Sequence, residues 1–129
     1  MTSIRVNHLD HLVLTVRDID QTCEFYHRVL GMEVITFGEG RKALRFGSQK
    51  INLHQAGAEF EPKAHTPTPG SADLCFIVQT PLETVLEVLR HEHIQPESEI
   101  VARTGATGPI QSVYLRDPDG NLLELSTPV

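Results

Sequence analysis

The chain has no tryptophan, only two tyrosines and five phenylalanines, and only two cysteines among its 129 residues. The lack of tryptophan speaks against a pocket built to stack large planar molecules. Cys23 and Cys75 stand far apart with no Cys-x-x-Cys, so neither a disulfide framework nor a thiolate zinc cage is supported, and both are expected to stay reduced. Basic residues are also scarce: 11 Lys and Arg stand against 17 Asp and Glu, a net charge of −6, with no basic run longer than two residues. That leaves no electrostatic footprint for nucleic acid or anionic lipid. The longest apolar run, Leu74-Cys75-Phe76-Ile77-Val78, is far short of the roughly 18 residues a membrane-spanning helix needs. The N-terminus shows no charged-then-apolar leader pattern. These absences lead us to expect a single cytoplasmic globular domain whose partners are small molecules.

What is present is periodic. Over residues 9–16, Leu12, Leu14 and Val16 alternate with His11, Val13 and Thr15, which predicts a strand with one fully apolar face. Asp18 and Gln21 form a helix-opening pair, Ile19, Cys23, Tyr26 and Leu30 recur at helical spacing, and Gly31 supplies the stop. Strands are predicted at 33–37, 42–46 and 50–54, separated by two glycine-containing turns. Residues 56–70 carry Pro62, Pro67 and Pro69 and no periodicity, as a connection or lid would. The pattern then restarts: a strand at 73–78, a capping box at Thr80-Pro81-Leu82-Glu83 with the helical stripe Leu82, Val85, Leu86 and Leu89, and strands at 99–102, 110–116 and 122–126. The last two strands are joined by Asp117-Pro118-Asp119-Gly120-Asn121, a turn in which aspartates bond their own backbone and are not an acid–base pair.

The order is strand–helix–three strands, twice. His11 and Asp73, Asp18 and Thr80, and Gln21 and Glu83 recur at one offset of 62 residues, while the closing strands align at 72. The second unit therefore holds about ten extra residues, expected near 104–109. That glycine-containing stretch lacks the strand–loop–helix context of a phosphate loop and reads as a hairpin connection or flap.

Each unit must bury its apolar strand face under its helix, so the opposite face is the informative one. By parity that face carries His11, Val13 and Thr15; Ala43 and Arg45; Lys50, Asn52 and His54; Asp73, Cys75 and Ile77; and Leu122, Glu124 and Ser126. Imidazole and carboxylate donors suit a divalent Fe, Mn, Ni, Co or Zn ion. Arg45, Lys50 and Arg103 suit an anionic substrate, and an arginine can clamp a carboxylate or phosphate in bidentate fashion.

Three segments carry a family resemblance: Leu9-Asp10-His11-Leu12-Val13-Leu14-Thr15-Val16-Arg17-Asp18, then Phe25-Tyr26 with Leu30-Gly31-Met32, then Tyr114-Leu115-Arg116-Asp117-Pro118-Asp119-Gly120-Asn121-Leu122-Leu123-Glu124-Leu125. In this order they resemble the vicinal oxygen chelate superfamily of glyoxalase I, extradiol dioxygenases, and fosfomycin- and bleomycin-resistance proteins. Asn52-Leu53-His54, Phe60-Glu61-Pro62-Lys63-Ala64 and Pro69-Gly70-Ser71 are similar to its short glyoxalase domain-containing, virulence-associated branch.

The resemblance implies an α+β fold of paired βαβββ modules forming a cup-shaped mixed sheet with helices outside, here one domain with modules 8–55 and 72–127 joined by 56–71. It also implies a homodimer and a divalent metal at His11, Asn52, Asp73 and Glu124. Asn52 departs from that pattern, being an amide where the family has histidine or carboxylate, and His54 is the replacement donor on the same face. The expected metal set is thus His11, His54, Asp73 and Glu124, with Glu124 or Asp73 as general base and Arg45, Asn52, Cys75 and Arg103 toward the substrate. The implied activity is metal-dependent lyase, isomerase or dioxygenase chemistry on a substrate with two neighbouring oxygens. The alternative is a metal-free binding or resistance protein of the bleomycin type.

Overall fold

The computed structural model describes residues 2–129. The first unit runs β1 (His11–Val16), α1 (Ile19–Leu30), β2 (Glu33–Phe37), β3 (Arg41–Phe46) and β4 (Gln49–Gln55). The second runs β5 (Asp73–Ile77), α2 (Leu82–His91), β6 (Val101–Gly105), β7 (Gly108–Arg116) and β8 (Leu122–Pro128). They form two four-stranded mixed sheets of the same topology, β1-β4-β3-β2 and β5-β8-β7-β6, in which the opening strand pairs parallel with the closing one and the others are antiparallel. Such a parallel pair needs a long crossover, supplied here by the helix and the two intervening strands.

Helix α1 starts where Asp18, in extended conformation, accepts a hydrogen bond from the Gln21 amide. It ends at Gly31, whose φ of 69° lets its amide and that of Met32 bond back to His27 and Tyr26. Its buried stripe of Thr22, Cys23, Phe25, Tyr26 and Val29 meets Leu14, Val16, Leu44, Ile51 and Leu53 of the first sheet in the core. Helix α2 contributes Leu82, Val85 and Leu89, and the second sheet Val113, Leu115, Leu123 and Leu125, to the same core cluster. Each fully buried aliphatic side chain contributes about 1.5–3 kcal/mol.

Three local expectations need correction. The capping box at Thr80 does not form. Pro81, at φ −56° and ψ 140°, is itself the cap residue with no side-chain bond, and the helix begins one residue later, at Leu82. The enlargement of the second unit is not at 104–109, which forms strand ends around a tight turn with Gly105 opposite Gly108. It lies at 92–100, between α2 and β6, where the first unit has only Gly31 and Met32 between helix and strand. Strand β6 accordingly begins at Val101, not at 99.

Residues 56–72 hold no helix or strand and are anchored at both ends. The Phe60 ring meets the His54 ring edge-on at 5.7 Å. At the other end Gly70, with φ +81°, passes so close to the carbonyl oxygen of Asp119 that a Cβ would sit 2.6 Å from it. The Ala72 amide then donates to Oδ1 of Asn121.

Candidate functional site

The strand register fixes which side chains share a face. Opposite the core, the first sheet presents His11 beside Lys50, Val13 beside Asn52 and Thr15 beside His54. The second presents Asp73 beside Leu122, Cys75 beside Glu124 and Ile77 beside Ser126. His11 and Asp73 thus occupy matching positions in their units, as do Asn52 and Glu124. Each face is open in part: Val13 is 44% and Ile77 62% exposed, and His11, Asp73 and Cys75 are exposed as well, whereas Thr15, Asn52, His54 and Ser126 are buried.

On the first face, His11 Nδ1 lies 2.8 Å from the Asp10 carboxylate. A carboxylate can only accept, so Nδ1 is the donor in this contact. The same hydrogen bond holds the Asp10 carboxyl below its usual range. Asn52 is 7% exposed, and its Oδ1 has no hydrogen-bond partner. His54 is 3% exposed; burial, and secondarily the Arg41 charge, push its pKa down, favouring neutral imidazole. It lines a cavity of about 250 Å³ with Val13, Thr15 and the 62–72 segment. Arg45 is already engaged, with Nε and Nη2 both donating to Oε1 of Glu33 at 3.0 and 2.7 Å.

On the second face, Glu124 Oε2 accepts from Ser112 Oγ at 2.6 Å. Ser112 and Ser126 hydroxyls lie 2.7 Å apart, and Cys75 Sγ is 3.3 Å from Ser126 Oγ. This leaves Oε1 of Glu124 clear of that network. A shallow pocket of about 400 Å³ gathers Asp73, Arg103, Tyr114 and Glu124. Within it Arg103 Nε donates to the Tyr114 hydroxyl at 3.0 Å, and its guanidinium lies 5.5 Å from that ring. Among the described residues, no three His, Cys, Asp or Glu side chains gather into a metal-binding group within one chain. The structure brings Asp73, Glu124 and Arg103 together on one face and His54 into a pocket of the other, and it keeps His11 at the opening of β1.

Sequence reasoning missed Arg41 and Ser112. Arg41 opens β3 one residue earlier than expected, and its guanidinium lies between the rings of Phe37 and Phe60, at 5.0 and 4.5 Å. Ser112 could have been found by carrying strand parity into β7, where it sits opposite Ser126.

Two sheets of identical topology, each belonging to a βαβββ unit and each with its core-averted face partly open, define a protein of the glyoxalase fold. The chain belongs to the Glyoxalase/Bleomycin resistance protein/Dioxygenase superfamily, whose family model matches residues 8–125. It is 58% identical over 121 residues to the virulence protein STM3117 of Salmonella typhimurium, covering 94% of this chain and 84% of that protein. It is 57% identical over 124 residues to the glyoxalase domain-containing protein RDO1 of Mycosarcoma maydis, covering 96% and 70%. The crystal structure of STM3117 superposes with a TM-score of 0.96 over 98% of this chain and all of that one, at 56% identity. More distant solved structures share the fold alone. They include a lactoylglutathione lyase from Agrobacterium tumefaciens (TM-score 0.73, 22% identity), the antibiotic-binding protein TnmS3 from Streptomyces (0.76, 17%) and the fosfomycin-resistance protein FosX from Listeria monocytogenes, complexed with Mn(II) (0.68, 19%). No helix is long and apolar enough to cross a membrane.

Proposed function

We propose that the protein is a glyoxalase-like metal-dependent enzyme of lyase, isomerase or dioxygenase type, acting on a small substrate that offers two neighbouring oxygens. The observation that carries this reading is the state of the donor atoms. His11 is oriented through Nδ1 by Asp10, which leaves Nε2 as the ligating nitrogen, the arrangement by which an outer carboxylate aligns a metal-binding imidazole. Glu124 is held through one oxygen by Ser112, which leaves the other to ligate. Asn52, at the position matching Glu124, buries an oxygen with no partner. With Asp73, these nitrogen and oxygen donors fit a divalent Fe, Mn, Ni, Co or Zn ion; His54 is the further donor on the Asn52 strand. When bound, such an ion supplies Lewis-acid polarisation of the substrate oxygens.

The chain's own residues bind and move the proton. Asp73 and Glu124 share a pocket open to solvent, where either carboxylate can accept a proton from substrate. Ser112, itself hydrogen-bonded to Ser126, fixes the Glu124 side chain so that little reorganisation accompanies the transfer. Among the described residues no three donors gather within one chain, so in this reading the complete set is assembled in a homodimer in which the second face of one protomer completes the first face of the other.

The second reading, a metal-free binding protein, is favoured by the amide at Asn52, a weaker ligand than the carboxylate at the matching position. Elemental analysis of protein purified without chelator separates the two. Near-stoichiometric metal, with affinity falling about tenfold or more in Glu124→Gln, supports the enzyme. A metal-free protein, or unchanged affinity in Glu124→Gln, supports the binder.

A further inference from the structure

The first face holds a feature that the metal reading does not use. The Lys50 ammonium lies 4.0 Å from the centroid of the Phe37 ring, and the Arg41 guanidinium lies 5.0 Å from the same centroid. Two like charges therefore converge on one ring. Neither belongs to an ion pair among the described residues, although the chain carries 17 acidic residues. Neighbouring Arg45 is neutralised by Glu33. The carboxylates of the covering segment are occupied as well: Glu59 accepts from the Gly57 amide, and Glu59 and Glu61 both lie within 4 Å of Lys63. Arg41 Nε is buried without a partner, an N–H that requires an acceptor. The ring faces of Phe37 and Phe60 attract the cations but do not neutralise them.

We infer that Phe37, Arg41 and Lys50 form an oxyanion subsite, so that the ligand of this face is a small organic acid carrying a carboxylate, phosphate or phosphonate next to an apolar group. This rests on the reading that the first face receives a small molecule, and it names the class of that molecule. The oxyanion is held at the edge of the Phe37 ring by the two cations that converge there, Arg41 at 5.0 Å and Lys50 at 4.0 Å from its centroid. The apolar part lies along Val13, which is partly exposed in the row beside them. An arginine already stacked between two rings has lost much of its side-chain freedom, so less is lost when it takes up an anion.

The test is a titration of full-length protein with phenylphosphonate at constant ionic strength, followed through the Nε–H resonances of the arginines by ¹H–¹⁵N NMR, with chelator present. The chelator makes the result independent of metal, so failure here differs from failure of the metal reading, which the elemental analysis decides. The expected result is a saturable shift of the Arg41 Nε–H resonance, with affinity about tenfold weaker in Lys50→Gln, within about twofold of the parent in Arg45→Gln, and no shift with neutral benzyl alcohol. Because Arg41 helps anchor Phe60, Arg41→Lys accompanies Arg41→Gln, both titrated by calorimetry beside the parent because they lack the Nε–H probe: Arg41→Lys keeps the charge and should retain more of the affinity. Absence of a saturable shift, an equal shift with benzyl alcohol, or affinity unchanged in Lys50→Gln would overturn the assignment.

Discussion

The Tyr26 hydroxyl donates to Oδ2 of Asp117 at 2.6 Å across 91 residues of sequence, tying α1 to the turn between β7 and β8. The same carboxylate accepts from the backbone amides of Asp119 and Asn121 and from Nδ2 of Asn121. Asp119 in turn accepts from the Arg17 amide and guanidinium. This buried turn is therefore the polar joint between the two units.

Removing the phenol should loosen that joint. Tyr26→Phe keeps the ring and loses a hydrogen bond to a charged group, so a loss of about 1.5–3 kcal/mol is expected. Burial, and secondarily Asp117, raise the Tyr26 pKa far above its ordinary value, so the folded state favours the protonated phenol. The resulting stability is present below the unfolded value near 10 and is lost as pH rises above it. Urea midpoints should fall from about pH 10 upward in the parent, more steeply than in Tyr26→Phe.

His54 gives the opposite pH dependence. Its pKa is lowered by burial and then by Arg41, so the fold favours neutral imidazole. The stability this provides is intact above the unfolded value near 6.5 and is lost as pH falls through the lower folded value. By NMR the His54 ring should titrate below about 6.5, and Arg41→Gln should move the midpoint upward. A midpoint at or above the ordinary value would contradict this.

Gly70 and Gly57 make a controlled pair. Both have positive φ, 81° and 83°, but a Cβ at Gly70 would meet the Asp119 carbonyl oxygen at 2.6 Å, whereas one at Gly57 meets nothing within 4 Å. Gly57→Ala should cost about 1–2 kcal/mol of left-handed strain. Gly70→Ala adds a backbone collision at the joint, and denaturant unfolding should show a clearly larger loss.

Leu125 and Glu124 are adjacent and point to opposite faces. Leu125 is 3% exposed in the core, so Leu125→Ala should cost about 2–5 kcal/mol while leaving the donors in place. Glu124→Gln still accepts from Ser112 and should leave apo stability nearly unchanged. Unfolding curves of the two variants measure that separation.

Much of this architecture was legible because the signals were local. Asp18, Gln21 and Gly31 bound a helix through their own side chains and φ angles, and strict alternation at His11–Val16 fixed both faces of β1. Recurrence at 62 residues marks the second unit in the sequence itself. Errors came where neighbours decide. Pro81 displaced the cap by one residue, and the expansion fell at 92–100, where no repeat position marks it. Arg45, read as a clamp, is paired across the sheet with Glu33. Arg41 escaped notice because its partner Phe60 comes from a segment with no periodicity to place it. Contacts such as Tyr26 to Asp117 have no local signal at all.

The matched positions of the two units carry a further consequence. The same frame is built twice but charged differently: Arg41, Arg45 and Lys50 outnumber Glu33 on one lobe, while Asp73, Glu97 and Glu124 outnumber Arg103 and Arg116 on the other. Opposite lobes attract across a contact and like lobes repel. In the homodimer proposed above, a twofold axis would bring the second lobe of each copy to the first lobe of the other, so one chain whose two units differ in charge would carry both halves of a polar contact that a heterodimer divides between two chains.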